Sequence, residues 1–308
     1  MASGMKTVAI VQARMGSTRF PAKVLKPILG TPLIEILLQR LGQAAQIDQI
    51  VLATSAHPAD DPLAAHAHKL GISVYRGSED DVLDRYHGAA VLAQADIVVR
   101  ITGDCPLVDP ALVDAAVTAL KKSGVDYASN TDPPTYPDGL DVEVFTAHAL
   151  QTAWQEARRP HEREHVTPYL CAPGRFRVLG LRNDSDLSAQ RWTVDEPCDL
   201  EVVAGIFGHF HPRRDFGWQE VAQLAQCEPA LFAANRHLIR NEGAAMSTGQ
   251  KLWKRAKRAI PGGNMLLSKR AELFLPEQWP AYFSKAKGCR ATFGAFGARI
   301  CRVAMAGR

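Results

Sequence analysis

The chain has 308 residues, 46% of them hydrophobic and 22% charged, with a formal net charge of +4. That balance describes an ordinary soluble globular protein and excludes disordered, fibrous and membrane-embedded classes; the length allows one large core and a smaller appendage. The charge is unevenly divided: residues 247–308 carry 13 Lys/Arg against Glu272 and Glu277, a net of +11, while the 23 basic and 30 acidic residues before them give −7.

The first element is an apolar strand over 7–13, and it runs straight into Arg14-Met-Gly-Ser-Thr-Arg19-Phe-Pro21-Ala-Lys23. Gly16, Ser17 and Thr18 can offer backbone N–H groups to an anion, and Arg14, Arg19 and Lys23 add cations that can converge on a polyphosphate. Neither the Walker pattern nor the three-glycine dinucleotide pattern occurs at this turn, so the loop predicts a nucleoside triphosphate site outside the kinase, ATPase and NAD classes. Helical patterns near 32–45, 61–70, 80–94 and 110–123 alternate with apolar runs at 49–54, 72–76 and 96–101, which predicts a parallel α/β sheet flanked by helices.

The run 96–101 ends in Thr102-Gly-Asp104-Cys-Pro, placing a carboxylate at the carboxyl edge of the sheet, where open α/β sheets bind ligands. Beyond Asp126 the pattern turns irregular, with a turn over 135–141, a strand over 142–145, helices near 148–158 and 161–171, and strands at 176–181 and 191–194. The last strand ends in Asp195-Glu-Pro197 before a helix over 197–210. Asp104 and Asp195 beside a triphosphate loop suggest a Mg²⁺ site, because Mg²⁺ takes one or two carboxylates and fills its octahedron with phosphate and water. Either aspartate alone would read equally well as a helix cap. Two acidic or mixed clusters are candidates for acceptor binding: Asp138, Asp141 and Glu143, and Glu162, Arg163 and His165. His161-Glu-Arg-Glu-His165 also matches a zinc-peptidase pattern, but Pro160 and Pro168 leave no long helix to support such a site.

Arg-X-Gly-Ser-Thr-Arg-X-Pro-X-Lys at 14–23 resembles the signature of the sugar cytidylyltransferases, a group that includes the 3-deoxy-manno-octulosonate and acylneuraminate enzymes. Arg76-Gly-Ser-Glu-Asp-Asp-Val-Leu-Asp-Arg-Tyr, Arg100-Ile-Thr-Gly-Asp-Cys-Pro-Leu, Tyr136-Pro-Asp-Gly-Leu-Asp-Val-Glu and Glu162-Arg-Glu-His-Val-Thr-Pro-Tyr are similar to the spore-coat polysaccharide branch of that group. The resemblance covers about residues 5–212. It implies a Rossmann-like, GT-A-like nucleotidyltransferase fold with a mostly parallel sheet, and transfer of CMP from CTP to an acidic sugar with release of pyrophosphate, in surface polysaccharide or glycan biosynthesis. The residues alone fix neither the base nor the sugar. On this reading Asp104, Lys23 and Arg14 are catalytic; Arg14, Gly16, Ser17, Thr18, Arg19, Lys23 and Arg100 bind nucleotide; and Asp104 and Asp195 hold Mg²⁺. A homodimer is compatible with it.

Two other readings give different expectations. A glycosyltransferase consuming a nucleotide sugar would show Asp-X-Asp after the central strand, where this chain has Thr102-Gly-Asp104-Cys. A non-catalytic nucleotide-binding module would have little use for both aspartates and all three loop cations.

Residues 250–289 resemble the start of a class III aminotransferase of the glutamate-1-semialdehyde aminomutase type, too short to reach that family's pyridoxal phosphate lysine. The expected organisation is therefore a nucleotidyltransferase domain over 1–246 and a basic tail over 247–308, an incomplete appendage from a truncated or frameshifted fusion. Its aromatic residues form no RNA-binding signature, so nucleic acid is not an expected partner. The six cysteines lack any Cys-X-X-Cys pair, which predicts reduced, mostly buried thiols. With no leader pattern and no apolar run of transmembrane length, a cytoplasmic location without a membrane partner is expected.

Overall fold

A computed structural model describes residues 4–240 and three short strands beyond them. Backbone packing divides the chain into two units, Met1–Leu238 and Ile239–Arg308. In the second, the described residues form a three-stranded antiparallel sheet of β10 (Lys285–Lys287), β11 (Arg290–Thr292) and β12 (Arg299–Ile300). The rest of the segment that resembles an aminotransferase start lies outside the described residues.

The first unit is built on a seven-stranded sheet in the order β5-β4-β1-β6-β8-β7-β9. Its members are β1 (Thr7–Gln12), β4 (Gln49–Ser55), β5 (Ser73–Gly77), β6 (Ile97–Thr102), β7 (Tyr127–Ser129), β8 (Glu143–Thr146) and β9 (Val178–Gly180), while β2 (Pro27–Ile28) and β3 (Thr31–Pro32) pair as a separate small hairpin. Strands β5, β4, β1 and β6 are mutually parallel, and β8 alone runs antiparallel to both its neighbours, β6 and β7. This is the mostly parallel, helix-flanked sheet that the alternating pattern predicts.

Alternation along β1 explains why both faces are covered. Ala9 and Val11 join the core under α1 (Leu33–Leu41), α2 (Asp61–Lys69) and α4 (Pro110–Ser123). Val8 and Ile10 join the opposite core under α3 (Val82–Leu92) and α5 (Ala147–Glu156). A third cluster joins Trp192, Val194 and Phe216 to α7 (Pro197–Phe210) and α8 (Trp218–Cys227). Caps set several boundaries. Asp109 accepts the backbone N–H groups of Ala111 and Leu112 at the start of α4, and Asp81 accepts that of Asp84 in α3.

Three expectations need correction. The helix expected over 161–171 is the six-residue α6 (Pro160–His165), ended by Val166 at φ +69°, a left-handed value that cannot continue a helix. Residues 191–194 form no strand of the main sheet; they are an extended segment with one bridge to Asp138 and backbone bonds from Trp192 to Asp138 and from Val194 to Asp104. Their apolar side chains pack in the third cluster, so burial, not sheet pairing, explains the pattern. The strand β7 and the helix α8 arise where no element was expected.

Gly103 sits where the ends of β1 and β6 come closest. A Cβ there would lie 2.6 Å from Ala13 Cβ and 2.9 Å from the Gln12 carbonyl oxygen, and the Gly103 N–H donates to that oxygen at 2.7 Å. Gly103→Ala must therefore force the two strand ends apart, with an expected loss of about 1–3 kcal/mol in urea denaturation. A change below about 0.5 kcal/mol, the range of surface substitutions, would contradict this packing.

Candidate active site

The loop after β1 is closed on the carbonyl oxygen of Met15, which accepts the N–H groups of Ser17 and Ala22, each at 3.0 Å. The Ser17 N–H is thus turned into the loop. Asp60 fastens the loop to the sheet: one carboxylate oxygen accepts the Met15 N–H at 2.7 Å, and the other accepts the Ser55 N–H and hydroxyl. Burial pushes the Asp60 carboxyl up, but these donors outweigh it and hold the group below its ordinary value.

The loop cations part company. The buried Lys23 ammonium lies 2.8 Å from Asp104 Oδ2 and 2.8 Å from Asp195 Oδ1, and Arg19 reaches the same Asp195 oxygen at 2.9 Å. Arg14 instead turns to Glu79, at 3.5 Å. Asp195 Oδ2 accepts from Arg191 at 3.1 Å, and the buried Arg191 guanidinium also pairs with Asp199 at 2.9 Å and Asp138 at 3.1 Å. Asp199, in the first turn of α7, accepts the backbone N–H groups of Asp195 and Glu196, both at 2.9 Å, and the Asn235 amide completes the group with bonds to Asp199 and the Arg191 carbonyl. Gly139 allows the close approach that brings Asp138 here: at φ +105° a Cβ would stand 2.5 Å from the Thr193 nitrogen.

The other expected residues are distributed as follows. Arg100 and Glu143 form a buried ion pair with each other, with the Tyr127 hydroxyl donating to Glu143 at 2.7 Å, so their charges are spent inside the fold. Glu162 accepts the backbone N–H groups of Arg158 and Arg159 at the start of α6. Arg163 forms a two-pronged bond to Asp81, at 2.9 and 2.7 Å, and donates to the Trp154 carbonyl. Arg163 and His165 line a cavity of about 510 Å³ together with Gln12, Arg14, Ser78 and Arg85, a volume suited to a small ligand. Asp141 is half-buried. Sequence reasoning missed Asp60, Arg85, Arg191, Asp199 and Asn235; only Asp199, two residues after Pro197, carried a recognisable helix-start signal.

The family model of the cytidylyltransferases matches residues 8–178. The chain belongs to the cytidylyltransferase family. It is 36% identical over 228 residues to the spore coat polysaccharide biosynthesis protein SpsF of Bacillus subtilis, covering 71% of this chain and 94% of that one. It is 39% identical over 209 residues to an uncharacterised protein of Methanocaldococcus jannaschii, covering 67% and 85%. Among solved structures it resembles a cytidylyltransferase from Leptospira borgpetersenii at a TM-score of 0.71 and 33% identity, covering 74% of this chain and 97% of that one. A CMP:2-keto-3-deoxy-manno-octonic acid synthetase complexed with CTP shares the fold, at a TM-score of 0.53 and 19% identity over 66% of this chain and 99% of that one. The chain is accordingly a nucleotidyltransferase. Among the described residues, no helix is long and apolar enough to cross a membrane.

Cytidylyltransferases generally use a divalent metal. The residues fit one: Asp104 and Asp195 aim carboxylate oxygens at a single cationic point, at present the Lys23 nitrogen, and hard oxygen donors of this kind suit a small divalent cation whose remaining positions are taken by phosphate and water. Burial pushes the Asp104 carboxyl up, yet the Lys23 ammonium and the Thr102 hydroxyl overcome that effect and hold it at about 2, below the ordinary 3.8. Burial pushes the Lys23 pKa down, but Asp104 and Asp195 outweigh it and hold the ammonium above its ordinary value.

A carboxyl depressed from 3.8 to about 2 by folding favours the folded state fully above the unfolded value, and that contribution is lost as pH falls from about 4 through about 2. It amounts to something on the order of 2 kcal/mol. Urea denaturation of wild type and Asp104→Asn should show a stability gap that is constant from pH 7 to 5 and closes below about pH 4. A gap unchanged at about pH 2.5 would remove the Lys23–Asp104 pair as its source.

Proposed function

We propose that the chain transfers the CMP group of CTP to a hydroxyl of an acidic sugar, releasing pyrophosphate, in the biosynthesis of a surface polysaccharide or glycan. The observation that carries this reading is the meeting of Lys23 and Arg19 with Asp104 and Asp195 at the carboxyl edge of the sheet, beside the loop that leaves β1. The family, the resemblance to SpsF and the names of the more distant relatives, 3-deoxy-manno-octulosonate cytidylyltransferases, support the choice of CTP and of a sugar acid.

In the reaction the acceptor oxygen attacks the α-phosphorus, the bond from that phosphorus to the bridging oxygen breaks, and the electron pair leaves on pyrophosphate. The hydroxyl proton is released to solvent. Arg14, Arg19 and Lys23 neutralise charge on the β- and γ-phosphates as it builds in the transition state. Asp104 and Asp195 would hold the divalent metal, Mg²⁺ on our reading, whose chemistry is to neutralise phosphate oxygens. A carboxylate held at about 2 is a weak base at neutral pH, so Asp104 acts through its charge and not as a proton acceptor. Arg191 donates to Asp195 Oδ2 and is itself fixed by Asp199 and Asn235, while Asp199 also accepts the Asp195 backbone N–H, so the carboxylate is held in orientation.

Pyrophosphate release measured with each of four nucleoside triphosphates, Mg²⁺ and a panel of acidic sugars tests the proposal. CTP should support turnover with at least one acid, and Asp104→Asn should lower kcat by about a hundredfold while CTP still binds. A preference for a purine triphosphate, or Asp104→Asn turnover within about twofold of wild type, would sink it.

We further propose that the nucleotidyltransferase domain ends near residue 246 and that 247–308 is dispensable, since the site residues named above run from Arg14 to Asn235. A chain ending at residue 246 should keep its kcat. One ending at residue 234 loses Asn235 and with it a buried bond to Asp199, at an expected cost of about 1–3 kcal/mol in stability. Inactivity or precipitation of the longer truncation would place the boundary elsewhere.

A further inference from the structure

Each buried or largely buried guanidinium group among the described residues has either a carboxylate partner or an acceptor on every nitrogen, with one exception. Arg40 donates to the carbonyl oxygens of Val108, Arg214 and Phe216 at 3.0, 2.6 and 2.9 Å. Arg100 is paired with Glu143, though its Nε too is buried without an acceptor, and Arg191 is paired with three aspartates. Arg85 is 1% exposed, yet its one hydrogen bond runs from Nη1 to the Ser78 carbonyl oxygen at 2.8 Å, and its Nε is buried without an acceptor. A guanidinium carries five N–H donors, and a buried charge without a partner costs several kcal/mol.

The surroundings show why Arg85 is held in this position. Its stem lies against Gly77, where a Cβ would come within 3.4 Å of Arg85 Cγ and 3.1 Å of the Tyr75 ring. The side chain lines the 510 Å³ cavity between the end of β1, residues 78–82 and α6. The nearby carboxylates are committed elsewhere or stand in water: Glu79 pairs with Arg14, Asp81 with Arg163 and the Asp84 N–H, and Asp80 and Glu164 are exposed. The cavity is therefore floored by a cation with no carboxylate paired to it, Asp60 and Glu79 acting on it only from beyond hydrogen-bonding distance.

We propose that Arg85 binds an oxyanion of a substrate within this cavity, a role separate from that of Lys23 and Arg19 at the carboxylate pair. The identity of the anion rests on the nucleotidyl-transfer reading: it is a phosphate oxygen of the triphosphate or the carboxylate of an acidic sugar. Both are planar or forked acceptors that match the guanidinium edge.

The test uses the full chain as wild type, Arg85→Gln and Arg85→Lys. Calorimetric dissociation constants are measured for inorganic pyrophosphate, CTP, CMP and 3-deoxy-manno-octulosonate, together with the melting temperature with and without each. The Gln variant removes the charge and is expected to melt no lower than wild type in the absence of anion, because it relieves a buried unpaired cation; a side chain present only for structure would lower it. At least one dissociation constant should rise about tenfold or more in Arg85→Gln and by less in Arg85→Lys, which retains the charge but not the fork. Losses for pyrophosphate and CTP identify the phosphate chain, and a loss confined to the sugar acid identifies the acceptor carboxylate. Dissociation constants within about twofold of wild type for all four probes in both variants would overturn the proposal. These readouts need no turnover, so a failure of CTP to yield pyrophosphate would sink the proposed reaction without touching this site.

Discussion

One buried ammonium group holds the active region together. Lys23 comes from the loop after β1, Asp104 from the end of β6 and Asp195 from the segment entering α7, and the contacts among them span 81 and 172 residues of sequence. An ammonium removed from water loses several kcal/mol of hydration, and carboxylates at hydrogen-bonding distance are what return it. The loop, the central strand and the start of α7 must therefore arrive together. Each has its own brace as well: Asp60 for the loop, the Gly103 contact for the strand ends, and Asp199 with Asn235 for the segment before α7.

How much of this could be read in the sequence depends on the range of the interaction concerned. The parallel strands β1, β4 and β6 are largely buried on both faces and appear as apolar runs, and the helices between the strands carry stripes such as Leu33, Ile36, Leu37 and Leu41, so the helix-flanked parallel sheet was legible. The cationic loop and the aspartates at 104 and 195 were legible too, because chemistry at strand ends has a local pattern. What could not be read was direction. Arg14 and Lys23 look alike on the loop, but one turns to the cavity and the other to the carboxylates. Asn235 makes its contacts through tertiary approach and has no periodic or motif signal, and Arg85, although inside the family-like stretch 76–86, shows nothing there of its burial or its cavity. Arg100 and Glu143, two apparently free charges at adjacent positions of the sheet, cancel each other because β6 and β8 pair in register at exactly those residues' Cα positions.

The ends of β1 and β6 thus divide the region into two environments of different electrical character. On one side Arg14 and Arg85 line a cavity in which the Arg85 guanidinium lacks a carboxylate partner. On the other, Lys23, Arg19, Arg191 and the four aspartates they meet each have an opposite charge within 3.1 Å. A buried unmatched cation attracts an anion directly, whereas a saturated network exchanges partners only when a better-charged group is offered.

The formal charges of that network indicate what it can accept. Four carboxylates, Asp104, Asp138, Asp195 and Asp199, face three cations, Lys23, Arg19 and Arg191, leaving a net of −1. A cluster of that sign repels a bare triphosphate. A divalent cation held by Asp104 and Asp195 would bring it to +1, and would at the same time compete with Lys23 and Arg19 for the carboxylate oxygens, leaving those two side chains able to pair with phosphate. Two aspartates and two cations placed against each other in this way would bind the polyanion and its metal together better than either alone, which is the electrostatic requirement of the proposed nucleotidyl transfer.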